Sequence, residues 1–553
     1  MTDAPLLQVR DLKVTFETAH GRVSAVENVG FELPPGETLV VLGESGSGKS
    51  VSSSVVMDLL DCPPGRIEKG EVLLEGKSLL EMPARERRQL NGSRISMIFQ
   101  DPLSSLNPVF PVGWQIAETL RVHGASDADP KQRALQLLER VGITDPARRY
   151  NHYPHQFSGG QRQRIMIAIA LALEPDILIA DEPTTALDVT IQRQILDLLT
   201  SIKRETGMAI LLITHDLAVA ARMADRVAVM KDGRIVETGT LEELALRPRH
   251  PYTRTLLGAI PRLEKPRRST SERAGGRPLL SVENLHKEYF LPRKGFGKPQ
   301  KIDALRGISF DLQEGRTLGV VGESGSGKST LARILMRLAE PSGGSATFEG
   351  ESIFGLSPAG CKRFHRKVQM VFQDPFGSLN PRMRIEDILT EPLAIHGTIL
   401  PRQHWHDRAV ELIRLVGLPP DALRRYPGQF SGGQCQRIAI ARALASEPKL
   451  IICDEAVSAL DVQVQAQIIE LLAELRERLS LSYVFITHDL PVVRSIADEI
   501  IVMKNGEIVE SGPTEALFCD PKSPYTRELL QASGVPGWMA EAVRALSREE
   551  TDA

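Results

Sequence analysis

Two eight-residue runs in this 553-residue chain follow the pattern G-x-x-x-x-G-K-[ST]. One is Gly43, Glu44, Ser45, Gly46, Ser47, Gly48, Lys49 and Ser50. The other is Gly322, Glu323, Ser324, Gly325, Ser326, Gly327, Lys328 and Ser329. Glycines let backbone N–H groups wrap phosphate oxygens, the lysine neutralises β- and γ-phosphates, and the closing hydroxyl suits Mg²⁺. A helix following such a loop aims its positive end at the same anion. One run could be a glycine-rich turn with a solvated lysine. Two runs, each behind a short apolar segment, point to nucleotide binding. Thr330 follows the second run where Val51 follows the first, so the first loop lacks one hydroxyl that could reach phosphate.

Three further pairs suit the same chemistry. Asp181-Glu182 and Asp454-Glu455 each end an apolar run. The aspartate can hold Mg²⁺, and the adjacent glutamate can orient or deprotonate an attacking water. His215 and His488, each inside Thr-His-Asp, end later apolar runs and could contact the γ-phosphate and the water. A lone histidine is usually structural; its recurrence beside the other motifs favours chemistry. Ser158, Gly159, Gly160 and Gln161, and again Ser431, Gly432, Gly433 and Gln434, each open a long helical segment. Such a start is an anion site or simply a helix N-cap. Each half already has its own phosphate loop, so the economical reading is that each half offers this second site to the nucleotide of the other.

The pairs Phe16 and Tyr289, Gln100 and Gln373, Ser158 and Ser431, Glu182 and Glu455, and His215 and His488 are all 273 residues apart. Only the glycine loops differ, at 279. One module has been duplicated and fused. The elements that must position the motifs can be read from the pattern. Residues 7–16, 23–33, 280–290 and 302–312 read as half-buried strands. Residues 38–42 and 317–321, 176–181 and 449–454, and 209–214 and 483–487 read as buried strands of a parallel or mixed sheet. Residues 110–150 and 383–425 read as mainly helical subdomains, and residues 191–202 as an amphipathic helix. The expected division is a first domain over 1–261, a polar linker over 262–279, a second domain over 280–535 and a tail over 536–553. Residues 291–299 read as an exposed loop.

Bulk composition narrows the class. With 42% hydrophobic and 25% charged residues the chain is an ordinary packed protein. A net charge of -3 gives no footprint for nucleic acid. The five cysteines form no CxxC pair, against a zinc site or disulfide framework. The longest apolar stretch, Ile165 to Leu173, is too short to span a bilayer, and no signal peptide is visible. A cytoplasmic location is expected.

Together with the segments ending at Asp188 and Asp461, these motifs resemble the ATP-binding cassette (ABC) ATPases over almost the whole chain. The resemblance implies an α/β fold of two P-loop ATPase domains, each with a RecA-like mixed sheet core, an antiparallel β subdomain and a helical subdomain. In that family two cassettes face head to tail around two ATP molecules. Site one would then hold Lys49, Ser50, Gln100, Asp181, Glu182 and His215, closed by Ser431–Gln434. Site two would hold Lys328, Ser329, Gln373, Asp454, Glu455 and His488, closed by Ser158–Gln161. Ser50, Gln100 and Asp181, and Ser329, Gln373 and Asp454, would hold Mg²⁺. Phe16 and Tyr289 match the aromatic that stacks on adenine, though each reads nearly as well as a core-strand aromatic.

Phe99-Gln-Asp-Pro-Leu-Ser-Ser-Leu-Asn-Pro108, its twin Phe372–Pro381, and the tails His250-Pro-Tyr-Thr and Ser523-Pro-Tyr-Thr are more specific. They resemble the oligopeptide, dipeptide and nickel branch of bacterial importers. This implies an energy-coupling ATPase on the cytoplasmic face of the inner membrane. Its expected partners are two integral membrane permease subunits and, indirectly, a periplasmic solute-binding protein. Peptides or peptide-like solutes are the expected cargo, with nickel or glutathione as alternatives. A twin-cassette ATPase acting on ribosomes is the competing class, but it would carry a long charged helical linker, and the Pro, Ser and Gly of residues 262–277 disfavour one.

Overall fold

A computed structural model describes residues 5–18, 21–124, 129–185, 187–264, 277–291, 300–397, 400–458 and 460–533. The chain divides at Gly258/Ala259 into two compact units. Each unit holds one four-stranded and one six-stranded sheet.

In the first unit the six-stranded sheet runs, edge to edge, Arg234–Gly239, Arg226–Lys231, Thr38–Leu42, Ala209–Thr214, Ile177–Asp181 and Ile95–Ile98. The last five strands are mutually parallel, and the first pairs antiparallel at the edge. The sheet of the second unit repeats this order with Glu507–Pro513, Glu499–Lys504, Thr317–Val321, Ser482–Thr487, Leu450–Asp454 and Val368–Val371. Continuous apolar sequence explains the arrangement. Every residue of Thr38–Leu42, Ile177–Asp181 and Ala209–Thr214 is buried, as a strand covered on both faces requires.

The second sheet of each unit is antiparallel: Gly21–Leu33, Leu7–Thr18, Gly65–Leu74 and Lys77–Ser78 in the first, and Gln300–Leu312, Leu280–Leu291, Gly343–Phe348 and Glu351–Ser352 in the second. Its inward side chains, among them Leu7, Leu12, Val14 and Leu33, join Leu39, Val41, Ile179 and Ile213 of the central sheet in one core. The helical layers form where expected. Val112–Val122, Pro130–Arg140 and Gly159–Ala170 build the first, and Ile385–His396, Trp405–Leu415 and Gly432–Leu444 the second.

The amphipathic run over 191–202 lies within the helix Val189–Thr206, which Asp188 caps and Gly207, at φ 71°, ends. One boundary differs from expectation. The helix Pro251–Glu264 runs into the first three residues of the segment read as linker. Residues 265–276, the loop residues 292–299 and the tail from 536 lie outside the described residues. Among the described residues no helix is long and apolar enough to cross a membrane.

Candidate nucleotide site

Parallel strands end on one edge of their sheet, and the crevice beyond that edge is where open α/β sheets bind ligands. The pairing register lines up the chemistry there. Leu42, the residue before the first glycine loop, lies opposite Thr214, the residue before His215. Asp181 lies opposite Ile213, and Ile98, two residues before Gln100, lies opposite Ala180. The second unit repeats this, with Val321 opposite Thr487 and Asp454 opposite Ile486. Six residues of each set thereby meet within their own unit: Lys49, Ser50, Gln100, Asp181, Glu182 and His215, and their counterparts.

The glycine loop needs its glycines. A Cβ on Gly43 would sit 2.2 Å from the Met230 carbonyl oxygen, and one on Gly48, at φ 98°, 2.4 Å from that of Ala25. Lys49 is buried and its Nζ donates to the Gly43 and Glu44 carbonyls at 2.8 and 2.7 Å; Lys328 does the same to Gly322 and Glu323. The Ser47 and Ser326 hydroxyls are buried in the loops and find no hydrogen-bond partner among the described residues. The helices Lys49–Val56 and Lys328–Leu335 start at the loop ends.

Ser50 Oγ donates to Asp181 Oδ1 at 3.0 Å, and Ser329 Oγ to Asp454 Oδ1 at 3.3 Å. Burial pushes Asp181 above the ordinary carboxylate range, partly offset by the Ser50 hydroxyl, while the neighbouring Glu182 charge adds to it. Asp454 is raised likewise by burial and by Glu455. Glu182 is the hub of the first site. Its Oε2 accepts from Gln100 Nε2 at 2.8 Å and from Thr185 Oγ1 at 2.9 Å, and its Oε1 lies 3.0 Å from His215 Nδ1. Burial raises Glu182, but the His215 hydrogen bond and charge outweigh it, so the carboxylate titrates below its ordinary range. Burial lowers His215, but the Glu182 bond and charge win and the imidazole is raised. Each partner thus favours the charged form of the other. Glu182 and Glu455 both stand at left-handed φ, 46° and 49°, a strained setting for a non-glycine residue and one found at functional positions.

The second site keeps most of this with one loss. Gln373 Nε2 reaches Glu455 Oε2 at 2.8 Å, and His488 Nδ1 lies 3.5 Å from Oε1. Ser458, the counterpart of Thr185, donates instead to the Glu455 carbonyl at 3.0 Å. Sequence reasoning overlooked Thr185, although its place three residues after Glu182 was the available signal.

Other candidate residues carry structural duties. Asp188 accepts from Ile191 N–H at 2.9 Å and Asp461 from Val464 N–H at 3.0 Å, each capping a long helix. Ser158 and Gln161, and Ser431 and Gln434, form capping boxes that leave these residues at or near the surface. The two glycines between them differ. A Cβ on Gly160 would lie 2.5 Å from Ile191 Cγ2 and one on Gly433 2.3 Å from Val464 Cγ1, whereas Gly159 and Gly432 would meet nothing closer than 3.7 and 3.6 Å. Phe16 is half-buried and packs on the core. Tyr289 is exposed, with Lys287 Nζ 5.0 Å from its ring centroid.

Comparison with known proteins gives the family. The family model described as "ABC transporter" matches residues 26–185 and 305–458. That described as "Oligopeptide/dipeptide transporter, C-terminal region" matches 236–298 and 509–551. The chain is 46% identical over 532 residues to the peptidoglycan transport ATP-binding protein YejF of Agrobacterium fabrum, covering 96% of each chain. It is 46% identical over 557 residues to the glutathione import ATP-binding protein GsiA of Escherichia coli K12, covering 95% of this chain and 89% of that one.

Proposed function

Because this chain belongs to the ABC transporter family, we propose that it is the ATP-hydrolysing subunit of an importer for peptides or peptide-like solutes. The observation that carries the reading is the twofold cluster at the strand ends, in which loop lysine, Ser–Asp pair and Gln–Glu–His group recur in each unit. The two matches to the oligopeptide/dipeptide transporter region favour an importer over a ribosomal ATPase. Relatives that import glutathione or transport peptidoglycan support the solute class. Glutathione is a tripeptide and peptidoglycan carries peptide stems.

The geometry supports the following roles. Lys49 and Lys328, with the loop N–H groups, hold the β- and γ-phosphates. Glu182, kept ionised by His215, Gln100 and Thr185, orients a water at the γ-phosphorus and takes its proton. The new P–O bond forms as the β–γ bridge breaks and ADP leaves with that oxygen. Glu455 does the same in the second cassette, held by His488 and Gln373. Ser50 with Asp181, and Ser329 with Asp454, fit Mg²⁺. Hard oxygen donors converge there, and the aspartate, pushed up by burial and by the neighbouring glutamate, would gain from a cation. The ion, when bound, neutralises charge on the β- and γ-phosphates. We assign to the exposed helix starts at Ser158 and Ser431 the closing of a bound nucleotide.

Import ATP-binding proteins work with membrane permease components, and two such subunits with a periplasmic binding protein are the partners we assign. With them we assign the chain to the cytoplasmic face of the inner membrane. The test is uptake and co-purification. The full chain is expected to bring down two integral membrane proteins and no ribosomes. Cells bearing Lys49→Ala with Lys328→Ala are expected to lose uptake of a toxic peptide and become resistant to it. Normal peptide uptake with lost nickel uptake would overturn the solute class, and a translation defect with normal uptake would overturn the importer.

A further inference from the structure

The tails His250-Pro-Tyr-Thr and Ser523-Pro-Tyr-Thr mark the importer branch, yet nothing above gives them work. Their tyrosines are buried, and each hydroxyl lies against a phosphate loop of its own unit. The Glu44 backbone N–H donates to the Tyr252 hydroxyl oxygen at 3.1 Å, and the Glu323 N–H to that of Tyr525 at 3.2 Å. Lys49 Nζ grips the carbonyl of Glu44 and Lys328 that of Glu323. The second residue of each loop is therefore held on both sides, by a tyrosine at its N–H and by the phosphate-binding lysine at its carbonyl.

The tyrosines are themselves fixed. Both Glu237 carboxylate oxygens accept backbone N–H groups, from Arg249 at 2.8 Å and His250 at 3.1 Å, just before Tyr252. Glu510 does the same for Lys522 and Ser523 at 2.8 and 3.1 Å. Lys231 Nζ stands 4.8 Å from the Tyr252 ring centroid, and Lys504 Nζ 4.1 Å from that of Tyr525. Both copies build the same four-part brace, although their glycine loops sit at a different offset from the rest of the repeat.

We propose that Tyr252 and Tyr525 are positioning residues for ATP: through the Glu44 and Glu323 peptides they set each phosphate loop, and its lysine, in the geometry that receives the β- and γ-phosphates. This rests on the ATPase reading. The consequence falls on nucleotide affinity, because the peptides that donate to the hydroxyls belong to the loops that cradle phosphate.

The test is steady-state ATP hydrolysis by the full chain carrying Tyr252→Phe, Tyr525→Phe or both. Phenylalanine keeps the buried ring and its lysine and removes only the hydroxyl. The double variant is expected to raise KM for ATP about three- to tenfold, the worth of one hydrogen bond per site. Its kcat is expected to fall by less than about twofold, and its thermal midpoint by no more than about 4 °C. Glu44→Pro removes the donor itself, so in that background Tyr252→Phe is expected to change KM no further. Should Glu44→Pro not fold, the KM-against-kcat split decides alone. An unchanged KM in the double variant, or a joint fall in kcat and thermal midpoint, overturns the inference. The parent chain in the same assay separates this from the wider reading, which fails if the parent hydrolyses no ATP even with its permease partners.

Discussion

Gly432 and Gly433 are neighbours in one motif, and the structure predicts opposite consequences for them. An alanine Cβ at Gly433 would lie 2.3 Å from Val464 Cγ1, so one of them must withdraw by about 1 Å to reach ordinary contact. Val464 is β-branched and sits in the helix Val462–Leu479, where its side chain has essentially one rotamer, so it cannot swing aside cheaply. Overpacking of this kind costs about 1–3 kcal/mol, and each kcal/mol lowers the midpoint of a domain this size by about 2–4 °C. Gly433→Ala is therefore expected to melt about 2–12 °C below the parent. Val464→Ala in the same chain should recover part of the loss, a coupling readable as non-additivity. At Gly432 the nearest atoms to a Cβ are Leu460 Cδ2 at 3.6 Å and Phe376 Cε2 at 3.8 Å, and Gly432→Ala should melt with the parent. Gly432 thus has no steric duty in its own unit. If its duty is to meet a bound nucleotide, Gly432→Arg should keep the fold and ATP binding while ATPase falls about 10²-fold, as misplaced reacting groups do. Calorimetry and a phosphate-release assay on the same preparations decide it. Equal melting of Gly432→Ala and Gly433→Ala would refute the packing argument; full ATPase in Gly432→Arg would refute the nucleotide duty of Gly432.

Glu182→Gln and Glu455→Gln should each lower hydrolysis, and the double variant should bind ATP yet hydrolyse it about 10²–10⁴-fold more slowly, measured by single-turnover phosphate release; a fully active double variant would remove both glutamates from catalysis. The Glu182–His215 pair should leave a pH signature. The folded His215 is raised, so its stabilisation is complete below the free-histidine value of about 6.5 and is lost as pH rises through the higher folded value; that of the lowered Glu182 is lost as pH falls through the carboxylate range. The melting gap between parent and His215→Ala should be widest near pH 6 and shrink by pH 9, and a gap that widens with pH would invert the assignment. Arg476 and Asp498 pair at 2.6 Å with side chains 4% and 8% exposed, whereas their counterparts Lys203 and Asp225 are 17% and 49% exposed. Arg476→Ala takes the nearer cation from the buried Asp498 carboxylate, which keeps Arg316 at 3.6 Å and the Thr317 N–H at 2.8 Å, and should cost up to about 3 kcal/mol in denaturant melts, against about 1 kcal/mol or less for Lys203→Ala.

The central strands were legible because a strand covered on both faces has a simple signature. Leu39–Leu42 and Ile177–Ala180 are uninterrupted apolar runs, and the residues that follow them carry the chemistry. The antiparallel strands also showed in their alternation. What stayed hidden was set by contacts between distant residues. Nothing local to Gly433 says that it presses on Val464, or local to Gly432 that it does not. The capping task of Asp188 was masked by the motif that contains it. The extension of the helix Pro251–Glu264 was missed because the polar, basic residues from 262 on, with no hydrophobic period, read as linker.

The duplication supplies an internal comparison that a single cassette would lack. Contacts formed in both units despite sequence drift mark what the fold requires: the lysine on its loop carbonyls, the serine on its aspartate, the glutamine on its glutamate and the tyrosine on its loop N–H. Contacts formed once mark where the two sites part. Thr185 donates to the Glu182 carboxylate, but Ser458 turns to a backbone carbonyl, and histidine stands 3.0 Å from glutamate in one unit and 3.5 Å in the other. A carboxylate with one donor fewer and a longer charged contact is less strongly held in its ionised form. Removing the extra donor should therefore bring the first site toward the second. Thr185→Val in a chain whose second site is silenced by Glu455→Gln should lower the remaining hydrolysis by about ten- to a hundredfold, the worth of one hydrogen bond to a charged group in rate terms. Ser458→Val in the converse background, Glu182→Gln, should change it by less than about twofold. Equal losses in the two backgrounds would mean that the hydroxyl serves the loop backbone in both units, and the difference between the sites would have to lie elsewhere, at Val51 against Thr330.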